Sequence, residues 1–133
     1  MCSCYIGLGQ LKHLDAVVSR RNENYRLYQR RLATDLWRPT IAAEHFVSNF
    51  AFPLLHPRRE QVVELLREQG VEVRPLICGS LGSQPFFVDR YGHVDLPNAS
   101  KVDRFGCYLP NHQLLGDDDV ERVCELVNSV PTD

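Results

Sequence analysis

The feature that most constrains the fold is a repeat of apolar residues near the start of the chain. Six large apolar or aromatic side chains recur at the spacing of one helix face: Leu11, Leu14, Val18, Tyr25, Tyr28 and Leu32. Polar residues, many of them arginine, fill the gaps. The pattern predicts one long amphipathic helix over residues 5–34, whose apolar side other elements must cover. Pro39 stops any continuation, because proline breaks the helical hydrogen-bond ladder.

The opening of this predicted helix, "IGLG" at residues 6–9, contains two glycines. Each glycine costs about 1 kcal/mol relative to alanine in a helix interior. Small residues retained at that cost predict close packing of this segment against another backbone.

The middle of the chain alternates between strand-like and helix-like segments. The aromatic-rich, alternating "FVSNFAFPL" at residues 46–54 predicts a strand, and Pro53 places its end at a sheet edge. The next segment, "PRREQVVELLREQG" at residues 57–70, predicts a helix that ends at Gly70. Its apolar side consists of four residues: Val62, Val63, Leu65 and Leu66.

The remaining elements complete a single domain spanning residues 1–133. "VEVRPLI" predicts a second strand, "LPNASKVDRFG" a short helix, "CYLP" an extended piece and "GDDDVERVCELVNSV" a final helix. This order predicts an α+β fold, an α/β sandwich in which helices cover one face of a small, mainly antiparallel sheet.

An acidic cluster opens the final helix. Asp117, Asp118 and Asp119 complement the positive end of the helix dipole. Asp118 and Glu121 have the spacing of a capping box. This structural interpretation is favoured over the alternative, a metal site.

Charge and hydropathy exclude some classes of protein. Residues 1–40 hold seven Lys/Arg against three Asp/Glu, but the basic side chains follow a predicted helix and indicate a solvated face, not a nucleic-acid surface. The sequence contains no apolar run long enough for a membrane span. The first residues, "MCSCYIGLGQLKH", lack the pattern of a signal peptide, so we expect a cytoplasmic location.

The five cysteines are Cys2, Cys4, Cys78, Cys107 and Cys124. Their spacing contains no CxxC pair, so we expect free thiols, several of them buried. "CSC" at the start has the form of half a metal site, but the sequence shows no second half, and no metal is predicted.

No complete catalytic motif occurs in the sequence. GxGxxG, Walker, HExxH and GxSxG patterns are absent, and the five histidines are scattered. The glycine-rich "GSLGSQP" at residues 79–85 has two interpretations: a connection, or a weak anion site opening into a helix at Pro85.

The two lysines, Lys12 and Lys101, stand in polar surroundings. A lysine that forms a Schiff base must be partly desolvated so that its amine is neutral enough to attack. The sequence therefore predicts no catalytic residue in this chain.

Four segments in order resemble the C-terminal domain of a known family. They are "IGLGQLKHLD" leading into "RRNENYRLYQRRL", then "FAFPL", then "LLREQGVEVRPLICGSLGSQPFF", then "LPNASKVDRFGCYLPNHQLLGDDDVERV". The set is similar to the pyridoxal-phosphate-dependent sugar aminotransferases of the DegT/DnrJ/StrS type, near perosamine synthases and 4-keto-6-deoxy-sugar 3-dehydratases.

The resemblance implies the small domain of a fold type I aminotransferase. In that family a large N-terminal domain carries the residues that bind pyridoxal phosphate, including the aldimine lysine or, in the dehydratase branch, a histidine. We therefore expect pyridoxal phosphate in the complete enzyme and none on this chain alone, which resembles a sequence that begins inside its parent.

The resemblance also implies substrate-binding residues. It places Arg74, Ser80 and Gln84 near the sugar nucleotide or cofactor, and it brings Asn111 and His112 toward the same cleft. Glycine and serine in the loop would let the backbone approach a bulky ligand. Where the family loop usually has asparagine, this chain has Ser80. The alternative for Asn111 is a strand-end turn.

Two functions follow from these expectations. In the first, the chain is part of an enzyme that acts on a nucleotide-linked keto sugar, for example in lipopolysaccharide biosynthesis, and is inactive alone. In the second, it is a non-catalytic module that dimerises or binds a partner, such as the large domain, through its N-terminal helix. A degenerate gene fragment is a third interpretation.

Overall fold

The structure is a computed structural model that describes residues 2–76 and 79–132, with side chains in the first helix described from Gly7 onward. Helices and strands follow one another as α1 (Cys2–Leu11), α2 (Leu14–Arg31), β1 (Ala51–Leu55), α3 (Arg59–Glu68), β2 (Arg74–Pro75), α4 (Pro85–Tyr91), α5 (Pro97–Phe105), β3 (Gly106–Pro110) and α6 (Asp117–Asn128). A short 3-10 turn, Leu81–Ser83, precedes α4.

The three strands form one antiparallel sheet in the order β1-β3-β2. Phe52 lies opposite Leu109, and Leu54 lies opposite Cys107, so these four side chains share one face. All four are fully buried. The predicted α+β class is confirmed, and Pro53 lies in an edge strand as predicted.

The core forms where α2, α3 and α6 meet that buried face. The rings of Tyr25 and Tyr28 pack on Phe52 with centroids 5.1 and 4.8 Å away. α3 contributes Val62 and Leu66, which are fully buried as the sequence predicted. α6 contributes four buried residues: Val120, Val123, Cys124 and Val127. Gly70 ends α3 with a φ of +76°, again as predicted.

The predicted single helix over residues 5–34 is wrong in one respect, because the chain turns at residues 12–13 and forms α1 and α2. Only the later part of the apolar stripe is buried; Leu11 and Leu14 remain 60 % and 48 % exposed. A Cβ added at Gly7 or Gly9 would meet nothing within 4 Å, so the predicted close packing has no counterpart among the described residues. No described element covers Leu8 or Leu11, so within the described residues α1 lacks the packing that stabilises most helices.

Both outer strands are shorter than predicted. Residues 46–50 precede β1 because their backbone bonds elsewhere: the N–H of Val47 donates to Oδ1 of Asn22 (3.0 Å). The chain before β2 still closes α3, since the N–H of Val71 donates to the carbonyl of Leu66 (2.8 Å). The predicted second strand extends to Ile77, which lies outside the described residues.

The start of α6 is also capped differently from the prediction. The N–H of Gly116 donates to Oδ2 of Asp119 (2.8 Å), so these residues, not Asp118 and Glu121, form the cap. Glu121 instead accepts a hydrogen bond from Nη2 of Arg31 at 2.6 Å. The N-cap lies two residues earlier than the sequence suggested, because α6 begins at Asp117.

The thiols of Cys107 and Cys124 are free and buried, as expected. The side chains of Cys2, Cys4 and Cys78 lie outside the described part of the chain. No described helix has both the length and the apolar character needed to cross a membrane. Over the same residues, no three or more metal-ligating side chains form a group that could hold an ion.

Candidate functional site

A cavity of about 510 Å³ lies at the end of the sheet. It is bounded by the end of α3, the start of β2, the end of β3 and the first turns of α6. The side chains that give it chemical character are Phe50, Arg74, Tyr108, Asn111, His112 and Arg122. Its volume falls within the range of small-molecule sites, about 300–1,000 Å³.

Three of the five predicted site residues line this cavity, and two do not. Arg74, Asn111 and His112 lie around it. Ser80 and Gln84 lie in the segment between β2 and β3 and are absent from its lining. The structure therefore brings together only part of the predicted set.

Asn111 connects three parts of the chain. Its side chain is fully buried, and Nδ2 donates to the carbonyls of Asn49 (2.8 Å) and Arg21 (3.3 Å). Because a buried amide that bonds two backbone carbonyls stabilises their relative positions, Asn111 fixes the end of β3 against α2 and the approach to β1.

The segment that carries His112 is held by α2. The hydroxyl of Tyr28 donates to the carbonyl of Pro110 (2.9 Å), and Nδ2 of Asn24 donates to the carbonyl of His112 (3.1 Å). The exposed imidazole accepts the N–H of Leu114 at Nδ1 (3.2 Å). In the neutral ring this bond leaves the proton on Nε2, which can donate to a ligand.

Arg74 lies directly opposite Tyr108 in the β2–β3 pair. Its Nε and Nη2 both donate to Oε1 of Glu72, at 2.8 and 2.6 Å. The two side chains are 73 % and 72 % exposed, so water screens their attraction and the pair contributes little to stability. The guanidinium can therefore exchange Glu72 for an anionic ligand at small cost.

Three of the six cavity residues named above were not predicted as site residues from the sequence: Phe50, Tyr108 and Arg122. The rings of Phe50 and Tyr108 lie 5.6 Å apart, and Phe50 is 60 % exposed. Arg122 donates from Nη2 to the carbonyl and to Oε1 of Gln69, each at 3.2 Å. The aromatic pattern in "FVSNFAFPL" was available, but alternation alone does not separate rings that pack in the core from rings on the open face.

Ser80 and Gln84 have structural roles in the described residues. Ser80 is 2 % exposed, and its carbonyl accepts both the N–H (3.2 Å) and the hydroxyl (2.9 Å) of Ser83. Gln84 precedes α4, and its carbonyl accepts the N–H groups of Phe87 and Val88. The carbonyls of Ser80 and Gln84 thus bond to groups within the same segment. This favours the interpretation of residues 79–85 as a connection over the alternative of an anion site.

Glycine is required at two positions of this loop because the backbone approaches α5 and the residues before it. At Gly79, where φ is +60°, an added Cβ would lie 2.8 Å from Oδ1 of Asp103. At Gly82 it would overlap the carbonyl oxygen of Val94. The glycines thus permit close packing within the protein.

The buried titratable groups outside the cavity are not suited to nucleophilic chemistry. Burial raises the pKa of both Cys107 and Cys124 to about 12, so their thiols stay protonated near neutral pH. Burial also raises the pKa of the Tyr28 hydroxyl, which donates within the fold. Burial lowers the pKa of His56, whose Nδ1 accepts the N–H of Arg58 (3.0 Å).

Comparison with known proteins gives consistent matches. A GDP-4-keto-6-deoxy-D-mannose 3-dehydratase from Escherichia coli O55:H7 is 25 % identical over 130 residues, which cover 92 % of this chain and 34 % of the relative. A solved structure of the E. coli GDP-4-keto-6-deoxy-D-mannose-3-dehydratase with bound hydrated pyridoxal phosphate superposes with a TM-score of 0.75 at 25 % identity, covering 92 % of this chain and 33 % of that one.

The aminotransferase TlmJ from Streptoalloteichus hindustanus superposes with a TM-score of 0.79 at 27 % identity, covering 93 % of this chain and 34 % of that one. The chain thus spans about a third of the length of the relatives it matches. The sequence profile of the DegT/DnrJ/EryC1/StrS aminotransferase family matches residues 1–128. The protein therefore belongs to the DegT/DnrJ/EryC1/StrS aminotransferase family.

Proposed function

We propose that this chain is the C-terminal small domain of a pyridoxal-phosphate-dependent enzyme that transforms a nucleotide-linked 4-keto-6-deoxy sugar in the cytoplasm. The observation that carries the proposal is the match to the E. coli 3-dehydratase over 92 % of the chain. The cavity supports it, because Arg74 and His112 offer donors suited to an anionic, hydroxyl-rich ligand.

The described residues do not fit pyridoxal phosphate itself. Lys12 and Lys101, the two lysines of the sequence, are both exposed, and neither lines the cavity. A lysine that forms a Schiff base needs a partly desolvated site, and neither of these side chains is buried. In our proposal the cofactor is held by residues outside this chain, and the residues of the cavity contribute to binding and orienting the substrate.

Within the cavity we assign two kinds of role. Arg74 and His112 would contact the ligand, because both side chains are exposed and carry polar donors. Asn111 would position His112, because its amide bonds fix the end of β3. Ser80 and Gln84 are retained as candidates for a part of the ligand that extends beyond this cavity.

The absence of a desolvated lysine can be tested directly. We expect that adding pyridoxal phosphate to the purified chain produces no stoichiometric imine absorbance band. Borohydride reduction followed by peptide mass mapping should show only scattered, substoichiometric labelling. A stoichiometric adduct confined to Lys12 or Lys101 would contradict this part of the proposal.

Complementation tests the proposal as a whole. The chain is mixed with a separately produced large domain of the E. coli 3-dehydratase, and conversion of GDP-4-keto-6-deoxymannose is followed with glutamate and pyridoxal phosphate present. We expect conversion only when both parts are present. If the two parts form a stable complex that lacks activity towards this and other nucleotide-linked keto sugars, the proposal is wrong.

A second function, a non-catalytic assembly module, is favoured by one observation. Leu8, Leu11 and Leu14 are 65 %, 60 % and 48 % exposed along α1 and the start of α2. An apolar group of this kind can drive self-association or capture of a partner. Size-exclusion chromatography distinguishes the two functions: a stable dimer that the large domain neither dissociates nor activates would favour the module.

A further inference from the structure

We propose that the protein binds one internal water molecule where α2 meets the end of β3, at a site formed by Arg21, Asn24 and Asn111. The water would donate to the amide oxygens of both asparagines and accept a hydrogen bond from Nε of Arg21. The site is distinct from the ligand cavity, because neither Arg21 nor Asn24 lines that cavity. The inference is independent of the proposed function.

The site is indicated by buried polar atoms that the protein itself does not satisfy. Four buried side-chain nitrogen or oxygen atoms have no hydrogen-bond partner among the described residues. Three of them belong to this junction: Nε of Arg21, Oδ1 of Asn24 and Oδ1 of Asn111. The fourth belongs to His56, at the other end of the sheet, where β1 ends and β3 begins. Because burying a polar atom without a partner is costly, three such atoms in one place indicate a bound polar ligand.

Hydrogen bonds on the page bring the three side chains together. Arg21 and Asn24 lie three residues apart in α2, so they share one side of the helix. Nδ2 of Asn111 donates to the carbonyl of Arg21 at 3.3 Å. Nδ2 of Asn24 donates to the carbonyl of His112, the residue after Asn111, at 3.1 Å. The two amides therefore lie side by side between the helix and the end of β3.

Turning over either amide would not remove the unpartnered oxygen atoms. With nitrogen and oxygen exchanged, Oδ1 of Asn111 would face the carbonyls of Arg21 and Asn49. Oδ1 of Asn24 would likewise face the carbonyl of His112. Each exchange sets acceptor against acceptor, so the surrounding carbonyls fix both amides as they stand. Both oxygen atoms thus require a donor from another molecule.

The number of donors and acceptors selects water as the ligand. Two amide oxygens need two donated protons, and Nε of Arg21 needs one acceptor. A water molecule supplies both, and buried waters in proteins make about three hydrogen bonds. A monovalent cation could bind the amide oxygens, but the charge of the guanidinium would repel it. A larger ligand is excluded because all three atoms are inaccessible to solvent.

The water would complete a set of bonds that hold the end of β3 against α2. Tyr28 donates to the carbonyl of Pro110 and Asn24 donates to that of His112, so two residues of this segment are bonded directly. The water would add Arg21 to this set. Because His112 lines the ligand cavity, the site would help to fix one wall of that cavity.

The first test uses NMR of the full chain labelled with ¹⁵N. Overhauser cross-peaks to water should appear at Hε of Arg21 and at the Nδ2 protons of Asn24 and Asn111, with the sign relation of a water that tumbles with the protein. The exposed side chains of Arg67 and Asn98 should not show it. A high-resolution crystal structure should show one water within hydrogen-bond distance of all three atoms.

A matched pair of arginine variants tests the role of the donor. Arg21→Met removes Nε but keeps an unbranched apolar stem. We expect hydrogen exchange to accelerate by about five-fold at the amides of Leu114 and Leu115, which bond to His112, as for the loss of one hydrogen bond. Arg30→Met, at an exposed position of the same helix, should leave these amides unchanged.

Several results would overturn the inference. Water cross-peaks at Arg21, Asn24 and Asn111 that match those of the exposed controls would exclude a bound water. Crystallographic density in which the three atoms pair with protein groups would do the same, as would an anomalous signal at the site after rubidium replaces the monovalent cation of the buffer. Equal exchange rates in Arg21→Met and Arg30→Met would show that Arg21 does not bind the water.

Discussion

Two regions of the molecule are built in different ways: the layered core and the 79–105 segment that joins β2 to β3. The buried apolar cluster takes its members from α2 to Val73 and from Cys107 to Val130, and the described 79–105 segment contributes none. Phe86 and Tyr91 in that segment are 68 % and 64 % exposed. Burial of apolar side chains therefore stabilises the first region but does little for the second.

The 79–105 segment is held by close backbone contacts and hydrogen bonds. Val94 donates its N–H to the carbonyl of Gly82 at 3.3 Å. Nη1 of Arg59 donates to the carbonyl of Asp103 (2.7 Å), which ties α5 to the start of α3. Single hydrogen bonds such as these each contribute about 1 kcal/mol.

This difference separates the predicted site residues into two classes. Asn111 and His112 are bonded to α2, and the register places Arg74 beside the middle strand, so these residues move with the core. Ser80 and Gln84 belong to a segment that we expect to open at a lower free energy than the global unfolding of the domain. A ligand that contacts both classes would couple the two regions.

The largest expected effect contrasts one aromatic residue from each region. Phe52→Ala removes a fully buried ring between Tyr25 and Tyr28 and should lower the free energy of unfolding by about 3–5 kcal/mol. Phe86→Ala should change it by less than about 0.5 kcal/mol. Urea unfolding measures both. Equal losses would refute the contrast between the regions.

A methyl group at Gly82 should open the 79–105 segment alone. Gly82→Ala places a Cβ against the carbonyl oxygen of Val94 and 3.3 Å from Cδ1 of Leu96. We expect a loss of about 1–3 kcal/mol in the local opening free energy, a typical cost of overpacking. Hydrogen exchange should accelerate for amides of the segment and not for those of α6.

Gly7→Ala is the control for this variant, because its added methyl group meets nothing within 4 Å. It should leave exchange in the 79–105 segment unchanged. Equal acceleration of segment and core amides in Gly82→Ala would show that the two regions unfold as one unit.

A smaller effect is expected from the polar contacts between α2 and α6. Arg20 donates from Nε to the carbonyl of Leu115 (2.8 Å) and from Nη2 to Asp117 (2.7 Å). Arg20→Ala should cost about 1 kcal/mol of unfolding free energy, and high salt should reduce the difference from the wild type. A loss as large as that of Phe52→Ala would mean that apolar packing is not the main stabilising interaction of the core.

The smallest and most gradual effect concerns His56, which joins the two regions. The backbone N–H of His56 donates to the carbonyl of Phe105 (2.9 Å). Burial lowers the pKa of the His56 imidazole below the ordinary value of 6.5. The imidazole therefore binds its proton more tightly in the unfolded chain than in the folded one. The contribution of neutral His56 to the free energy of unfolding is fully present above pH 6.5, and it declines as the pH falls from 6.5 towards the folded-state pKa.

Urea midpoints between about pH 7.5 and pH 5 check this expectation, and His56→Gln should flatten the slope. The pKa of Asp35 is also lowered, mainly by the hydrogen bond from Thr132, but from an ordinary value of 3.8, so its loss of stability falls below this window. An unchanged slope in His56→Gln would assign the decline to another group.

Local patterns in the sequence were sufficient to predict much of the fold. The faces of α3, the stop at Gly70 and the edge position of Pro53 all depend on neighbouring residues and were predicted correctly. The break between α1 and α2 was missed, because the apolar stripe continues through Leu11 and Leu14 although no described element covers them.

The site was less predictable, because its contacts join distant parts of the chain. Asn111 bonds a carbonyl 90 residues away in α2 and another 62 residues away before β1, and no local pattern encodes either contact. The Phe50–Tyr108 pair likewise depends on the strand register. The resemblance predicted five site residues, of which Arg74, Asn111 and His112 line the cavity and Ser80 and Gln84 do not.

The strand order has a consequence for synthesis on the ribosome. The middle strand, β3, is the last of the three in the chain, and β1 and β2 each pair with it. Until residue 110 has left the exit tunnel, the nascent polypeptide therefore exposes two outer strands that lack this shared neighbour. A chain stalled before that point would present Phe52 and Leu54 to chaperones and would be prone to aggregate.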